Sequence, residues 1–143
     1  MKKRLNFSLL VMVTIIGVTL SQRSFAQEKS TAETQATQKV VNLTPDQAEK
    51  LLSTNKQVIV LDVRTPEEFK SSHIHGATNV DFYQDFERNL AKLDKSKPYL
   101  VHCAVGGRSA KVRDRMKQLS FKSIYHLEGG IKAWEKAGKK TEK

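Results

Sequence analysis

A single cysteine, Cys103, stands in a chain of 143 residues, so no disulfide can close within the molecule. The same scarcity excludes a lipid anchor at an N-terminal leader, which needs a cysteine at the cleavage point. No Cys/His cluster has zinc spacing: His73 and His75 sit at i, i+2 without a partner pair, which suits a turn or sheet edge better than a metal. Neither a metal nor any other cofactor is implied. No apolar run reaches the ~20 residues a membrane-spanning helix needs; the longest candidate, Leu5 to Leu20, has 16. No segment repeats, and basic residues are not interleaved with stacking aromatics or set in a docking motif, which argues against nucleic acid.

What is present begins with a leader. Lys2, Lys3 and Arg4 precede the apolar run Leu9 to Leu20, and Ser24-Phe25-Ala26 supplies small residues at the −3 and −1 positions of a cleavage site. Residues 1–26 read as a secretory signal peptide, giving a periplasmic or extracellular protein with no stable membrane insertion; the alternative is an anchor made by residues 5–20. Cleavage leaves 21 basic against 15 acidic residues, a charge of +6. Residues 27–39 hold no large apolar side chain and read as a disordered linker. A lone cysteine in an exported chain is either a reactive thiol or a small buried hydrophobe.

Residues 40–143 form one domain in which short apolar runs alternate with helical patterns. Val40-Val41-Asn42, Val58 to Leu61, Ala77 to Val80, Tyr99 to His102 and Ser123 to Leu127 are strand candidates. Thr44-Pro45-Asp46-Gln47 and Thr65-Pro66-Glu67-Glu68 are helix starts, each with a capping threonine and proline at the first helical position. Helices are expected to about Thr54, through Phe69, over Phe82 to Leu93, over Ser109 to Leu119, and after Gly129-Gly130. This β-α-β alternation predicts an α/β fold with a mainly parallel sheet covered by helices on both faces.

Cys103 lies where a strand ends, and Ala104, Val105, Gly106, Gly107 and Arg108 lead directly into a helix. Loop amides and the positive end of the helix dipole stabilise a thiolate or a bound anion there. Gly106 and Gly107 allow the backbone to curl into a cradle, and Arg108 adds a permanent charge and a planar fork of donors. Together they predict a depressed thiol pKa and a nucleophilic sulfur.

The flanking segments sharpen this. Leu61-Asp62-Val63-Arg64 with Glu67-Glu68-Phe69 and His73 to Asn79, then Val101-His102-Cys103 through Arg108-Ser109, then Leu127-Glu128-Gly129-Gly130-Ile131 with Ala133-Trp134, resemble the motifs of the rhodanese-like family over Val40 to Gly138. The resemblance implies a five-stranded parallel sheet flanked by helices. It also implies a cysteine that takes the outer sulfur of a donor such as thiosulfate and passes it, as a persulfide, to a thiophilic acceptor. Carried over, Cys103 is the nucleophile, the amides of Ala104 to Arg108 form the cradle, and Arg108 is an anion binder or loop anchor. The related dual-specificity phosphatases use a loop one residue longer before the arginine, so sulfur transfer is favoured over phosphoryl chemistry.

Arg64 is a secondary candidate for substrate binding, set against the commoner structural role of pairing with neighbours such as Glu67 or Glu68 to hold loops. His102 should point to the opposite face from Cys103 and is a poor base. His126 and Trp134 read as packing residues, and Lys111, Arg113, Arg115 and Lys117 as a solvated basic face. Two functions follow: a thiosulfate sulfurtransferase working on a small-molecule donor and a thiophilic acceptor, or a non-enzymatic module that binds a partner or carries sulfur. An activated thiol in an intact short loop favours the enzyme.

Overall fold

A computed structural model of the chain describes residues 38–143. The expected leader and residues 27–37 lie outside them. Five strands, β1 (Lys39–Leu43), β2 (Ile59–Asp62), β3 (Thr78–Asn79), β4 (Pro98–His102) and β5 (Ser123–Leu127), form a sheet in the order β1-β5-β4-β2-β3. Every pairing is parallel. Helices α1 (Pro45–Thr54), α2 (Pro66–Ser71), α3 (Phe86–Ala91), α4 (Gly107–Gln118) and α5 (Gly130–Lys136) alternate with the strands.

Both threonine starts form as the sequence predicts. Thr44 and Thr65 each accept from the backbone amide three residues on, and Gln47 and Glu68 return the bond to the cap amide. The helix expected from Phe82 begins only at Phe86. Asp81 Oδ1 accepts from the Tyr83 amide at 2.9 Å, turning the chain, and Asp85 takes a left-handed conformation with φ 46° that ends the turn. The sheet also starts earlier than apolar content suggests: Lys39 opens β1, and the Gln38 side chain donates to the carbonyls of Lys117 and Phe121. An edge strand held by backbone bonds needs little apolar surface of its own.

Side chains alternate along the central strands. Tyr99, Val101 and Cys103 join Leu61, Leu90, Val112, Met116 and Ile124 in one buried layer, while Leu100 joins Val60, Tyr125, Leu127, Ile131 and Trp134 in the other. This period of two puts Cys103 on the α4 side at the carboxyl end of β4. Ligands of open parallel sheets bind at that end of the strands.

Glycine permits the close approach of α5 to this strand end. Gly130 has φ +59°, and a Cβ there would lie 2.3 Å from the Cys103 carbonyl oxygen and 2.7 Å from the Ala104 carbonyl carbon. Gly106, the residue before α4, has φ +101°. Gly107, by contrast, needs no glycine conformation, and a Cβ there meets nothing within 4 Å. Gly130→Ala should therefore destabilise the fold by about 3 kcal/mol, combining a strained backbone with a backbone collision, whereas Gly107→Ala should be neutral or stabilising by about 0.4–1 kcal/mol. Denaturant midpoints of the two variants against the parent chain check the contrast.

Candidate functional site

Cys103 follows the last residue of β4 and is only 1% exposed. Its loop is held from behind: the Ile131 amide donates to the Cys103 carbonyl at 2.9 Å and the Lys132 amide to the Ala104 carbonyl at 3.1 Å. With both carbonyls tied to the first turn of α5, amide protons are left to face the sulfur. The Gly106 amide donates to Sγ at 3.1 Å, and the Ser109 hydroxyl reaches it at 3.5 Å.

Burial pushes the Cys103 thiol up, but hydrogen bonds from the Ser109 hydroxyl and from the amides of Ser109, Val105 and Gly106 outweigh it, and the net shift is downward. This narrows the expected cradle. Val105 and Gly106 supply amides to the sulfur; Ala104 contributes a carbonyl anchored to α5, and Gly107 opens α4. Val105 places its side chain outward, 62% exposed.

Arg108 holds to the anchoring half of its expected role. Its guanidinium makes a bidentate pair with Glu68, both bonds 2.7 Å, across 40 residues of sequence, and lies over the Tyr83 ring with 5.7 Å to the centroid. Glu68 thus caps α2 through Thr65 and clamps the loop through Arg108. The leading downward effects on Cys103 come from Ser109, Val105 and Gly106, while Arg108, its guanidinium paired with Glu68, keeps a charge interaction with the sulfur.

Arg64 takes the structural alternative. Its Nε and Nη2 bond the Asp62 carboxylate at 2.6–3.0 Å, Nη2 also donates to the Ser72 carbonyl at 2.6 Å, and the residue is 4% exposed. The carboxylate partner is Asp62, fully buried, and not Glu67 or Glu68. Asn79 completes this structural knot by donating to the carbonyls of Asp62 and Arg64. His102 lies on the face away from the sulfur, with Nε2 3.7 Å from the Asp62 carboxylate.

Two residues at the site escaped sequence reasoning. Ser109 was visible as the end of the loop but not as a sulfur ligand. His126, read as packing, places Nε2 2.9 Å from Ser109 Oγ and 3.3 Å from the Gly106 carbonyl. Burial lowers its pKa, against the opposing effect of the Gly106 carbonyl. No local signal marks it, because β5 brings it to Ser109 from 17 residues away. Among the described residues no group of three or more His, Cys, Asp or Glu is placed to hold a metal ion.

A family model described as Rhodanese-like domain matches residues 44–137. The chain is 36% identical over 92 residues to Thiosulfate sulfurtransferase 16, chloroplastic, of Arabidopsis thaliana, covering 57% of this chain and 77% of that protein. It is 33% identical over 95 residues to the Probable adenylyltransferase/sulfurtransferase MoeZ of Mycobacterium tuberculosis, covering 66% of this chain and only 24% of the relative. Among solved structures, a rhodanese-related protein from Thermoplasma volcanium superposes with a TM-score of 0.64 at 29% identity, covering 71% of this chain and 96% of that one.

The Arg108–Glu68 pair has a pH signature. Hydrogen bonding to Arg108, opposed by partial burial, holds the Glu68 carboxyl down at about 2 from its ordinary 4.5. A carboxyl lowered in the folded state contributes stability that is complete above the unfolded value and is lost as pH falls toward the folded one. Glu68→Gln should therefore lose less stability than the parent between pH about 4.5 and about 2. Denaturant midpoints across that window check it, and parallel curves would show that the clamp contributes nothing.

Proposed function

The chain belongs to the rhodanese-like domain family, and on that premise we propose that it is a sulfurtransferase that moves a sulfane sulfur from thiosulfate or a related donor to a thiophilic acceptor through a persulfide on Cys103. The observation that carries the reading is the sulfur of Cys103 set among the Gly106 amide, the Ser109 hydroxyl and the first turn of α4. The sulfurtransferase relatives support the same class of chemistry.

The step balances without an external oxidant. The Cys103 thiolate attacks the outer sulfur of thiosulfate; an S–S bond forms as the donor's own S–S bond breaks, and sulfite departs with the electron pair. An acceptor thiolate or cyanide then attacks the outer sulfur of the persulfide, and Cys103 leaves as the thiolate it began as. In the first half the cradle holds the attacking thiolate, whose charge passes to the departing sulfite, and in the second it receives the charge that returns to the Cys103 sulfur as the thiolate leaves, so one set of donors serves the charged sulfur at both ends of the cycle. Arg108 holds the loop through Glu68 and leaves stabilisation of the sulfur mainly to backbone and hydroxyl donors.

The proposal includes export. The basic start, short apolar run and Ser24-Phe25-Ala26 support removal of residues 1–26. Among the described residues no helix is long and apolar enough to cross a membrane.

Thiosulfate treatment of the mature protein should add the mass of one sulfur atom to the intact chain, and Cys103→Ser should neither gain it nor produce thiocyanate from cyanide, while unfolding at a similar denaturant concentration. Thiocyanate production by the serine variant at the parent's rate would end the assignment. N-terminal sequencing of protein recovered from the producing cell's envelope should begin at Gln27; Met1 retained in a membrane fraction would support the anchor.

A further inference from the structure

Ser109 Oγ has one proton and three polar neighbours: Cys103 Sγ at 3.5 Å, the Gly106 carbonyl at 3.1 Å and His126 Nε2 at 2.9 Å. Which of them receives the proton decides whether the hydroxyl supports the sulfur. The carbonyl can only accept, and it already takes the Ala110 amide at 2.9 Å as α4 begins.

His126 decides the rest. Its Nε2 lies 3.3 Å from that same carbonyl as well as against Oγ, so a bare Nε2 would face the carbonyl's lone pair even if it took the hydroxyl proton, whereas Nε2–H is shared between the two oxygens. The other nitrogen, Nδ1, is buried with no hydrogen-bond partner among the described residues. An unpartnered buried N–H is rarer and costlier than an unpartnered lone pair, which again assigns the proton to Nε2. Oγ then accepts from the imidazole and cannot give its own proton to it. Of the two acceptors left, a sulfur anion is charged and the carbonyl is already engaged, so the hydroxyl proton goes to sulfur.

We infer that His126 is a positioning residue for the sulfur chemistry: its Nε2–H, donated to Ser109 Oγ, turns the serine hydroxyl toward Cys103 Sγ and holds it there for the thiolate. The imidazole is 6% exposed and acts through Ser109. The inference rests on Cys103 being the reacting group.

The test compares two amides that differ in reach. His126→Gln extends an N–H donor to about where Nε2 stands, and His126→Asn, one methylene shorter, does not. Each is made in the parent and in Ser109→Ala, and the thiol pKa is read from thiolate ultraviolet absorbance, which reports one site because the chain has one cysteine. In the parent background the Gln variant should keep a thiol pKa close to wild type and the Asn variant should raise it by about one unit, the size expected from loss of a hydrogen bond to a charged group. In Ser109→Ala the difference between Gln and Asn should vanish, since coupled residues do not add. Equal thiol pKa values for Gln and Asn in the parent, or a difference that survives Ser109→Ala, would overturn the inference. The titration uses no sulfur donor, so a wild-type chain that takes up no sulfur from thiosulfate would remove the sulfurtransferase reading and leave this result standing.

Discussion

The site depends on where two backbone carbonyls point. A peptide unit that offers its amide to an anion must send its carbonyl elsewhere, and a buried carbonyl needs a donor of its own. At Cys103 and Ala104 those donors are the amides of Ile131 and Lys132, which α5 has to spare because the first turn of any helix leaves its N–H groups unpaired. The bond forms only if α5 comes close enough, and the missing Cβ of Gly130 permits it. The Gly129-Gly130 turn, some 27 residues from the cysteine, is thus part of the same device as the loop.

Electrostatics at this strand end are divided between two charged knots and a neutral cradle. Asp62 with Arg64, and Glu68 with Arg108, are both satisfied within the protein, the first buried and the second partly open beside Tyr83. Removing one partner from the buried pair would strand a charge out of water, which is far costlier than losing an exposed pair. The donors at the sulfur are dipoles: amides, a hydroxyl and a helix start. Dipoles fixed by the fold need no reorganisation as charge moves on and off the sulfur.

Much of this was legible in the sequence, and the limit has a physical cause. The threonine caps, the strand before Cys103 and the helix after it are written in runs of a few residues, and each forms where its pattern says. Cys103 itself was legible because loop, glycines and helix start are contiguous. Glu68 with Arg108 and Ser109 with His126 were not, since each pair meets only after the sheet has brought together segments 40 and 17 residues apart. Local pattern also misjudged Gly107, whose conformation any residue can adopt, and the start of α3, delayed by the turn at Asp81 and the left-handed Asp85.

The near-complete burial of Cys103 carries a consequence for traffic through the site. A thiol at the floor of a loop is sterically shielded from bulky disulfides. A sulfur bonded to it stands about 2 Å beyond the cysteine sulfur. Under the proposed chemistry the empty protein is therefore legible only to donors that present a slender terminal sulfur, while the charged protein offers its cargo nearer the rim, beside exposed Val105 and Tyr83, to acceptors too large to have reached the cysteine itself. Loading would then act as its own ratchet, with the direction of transfer set by reach.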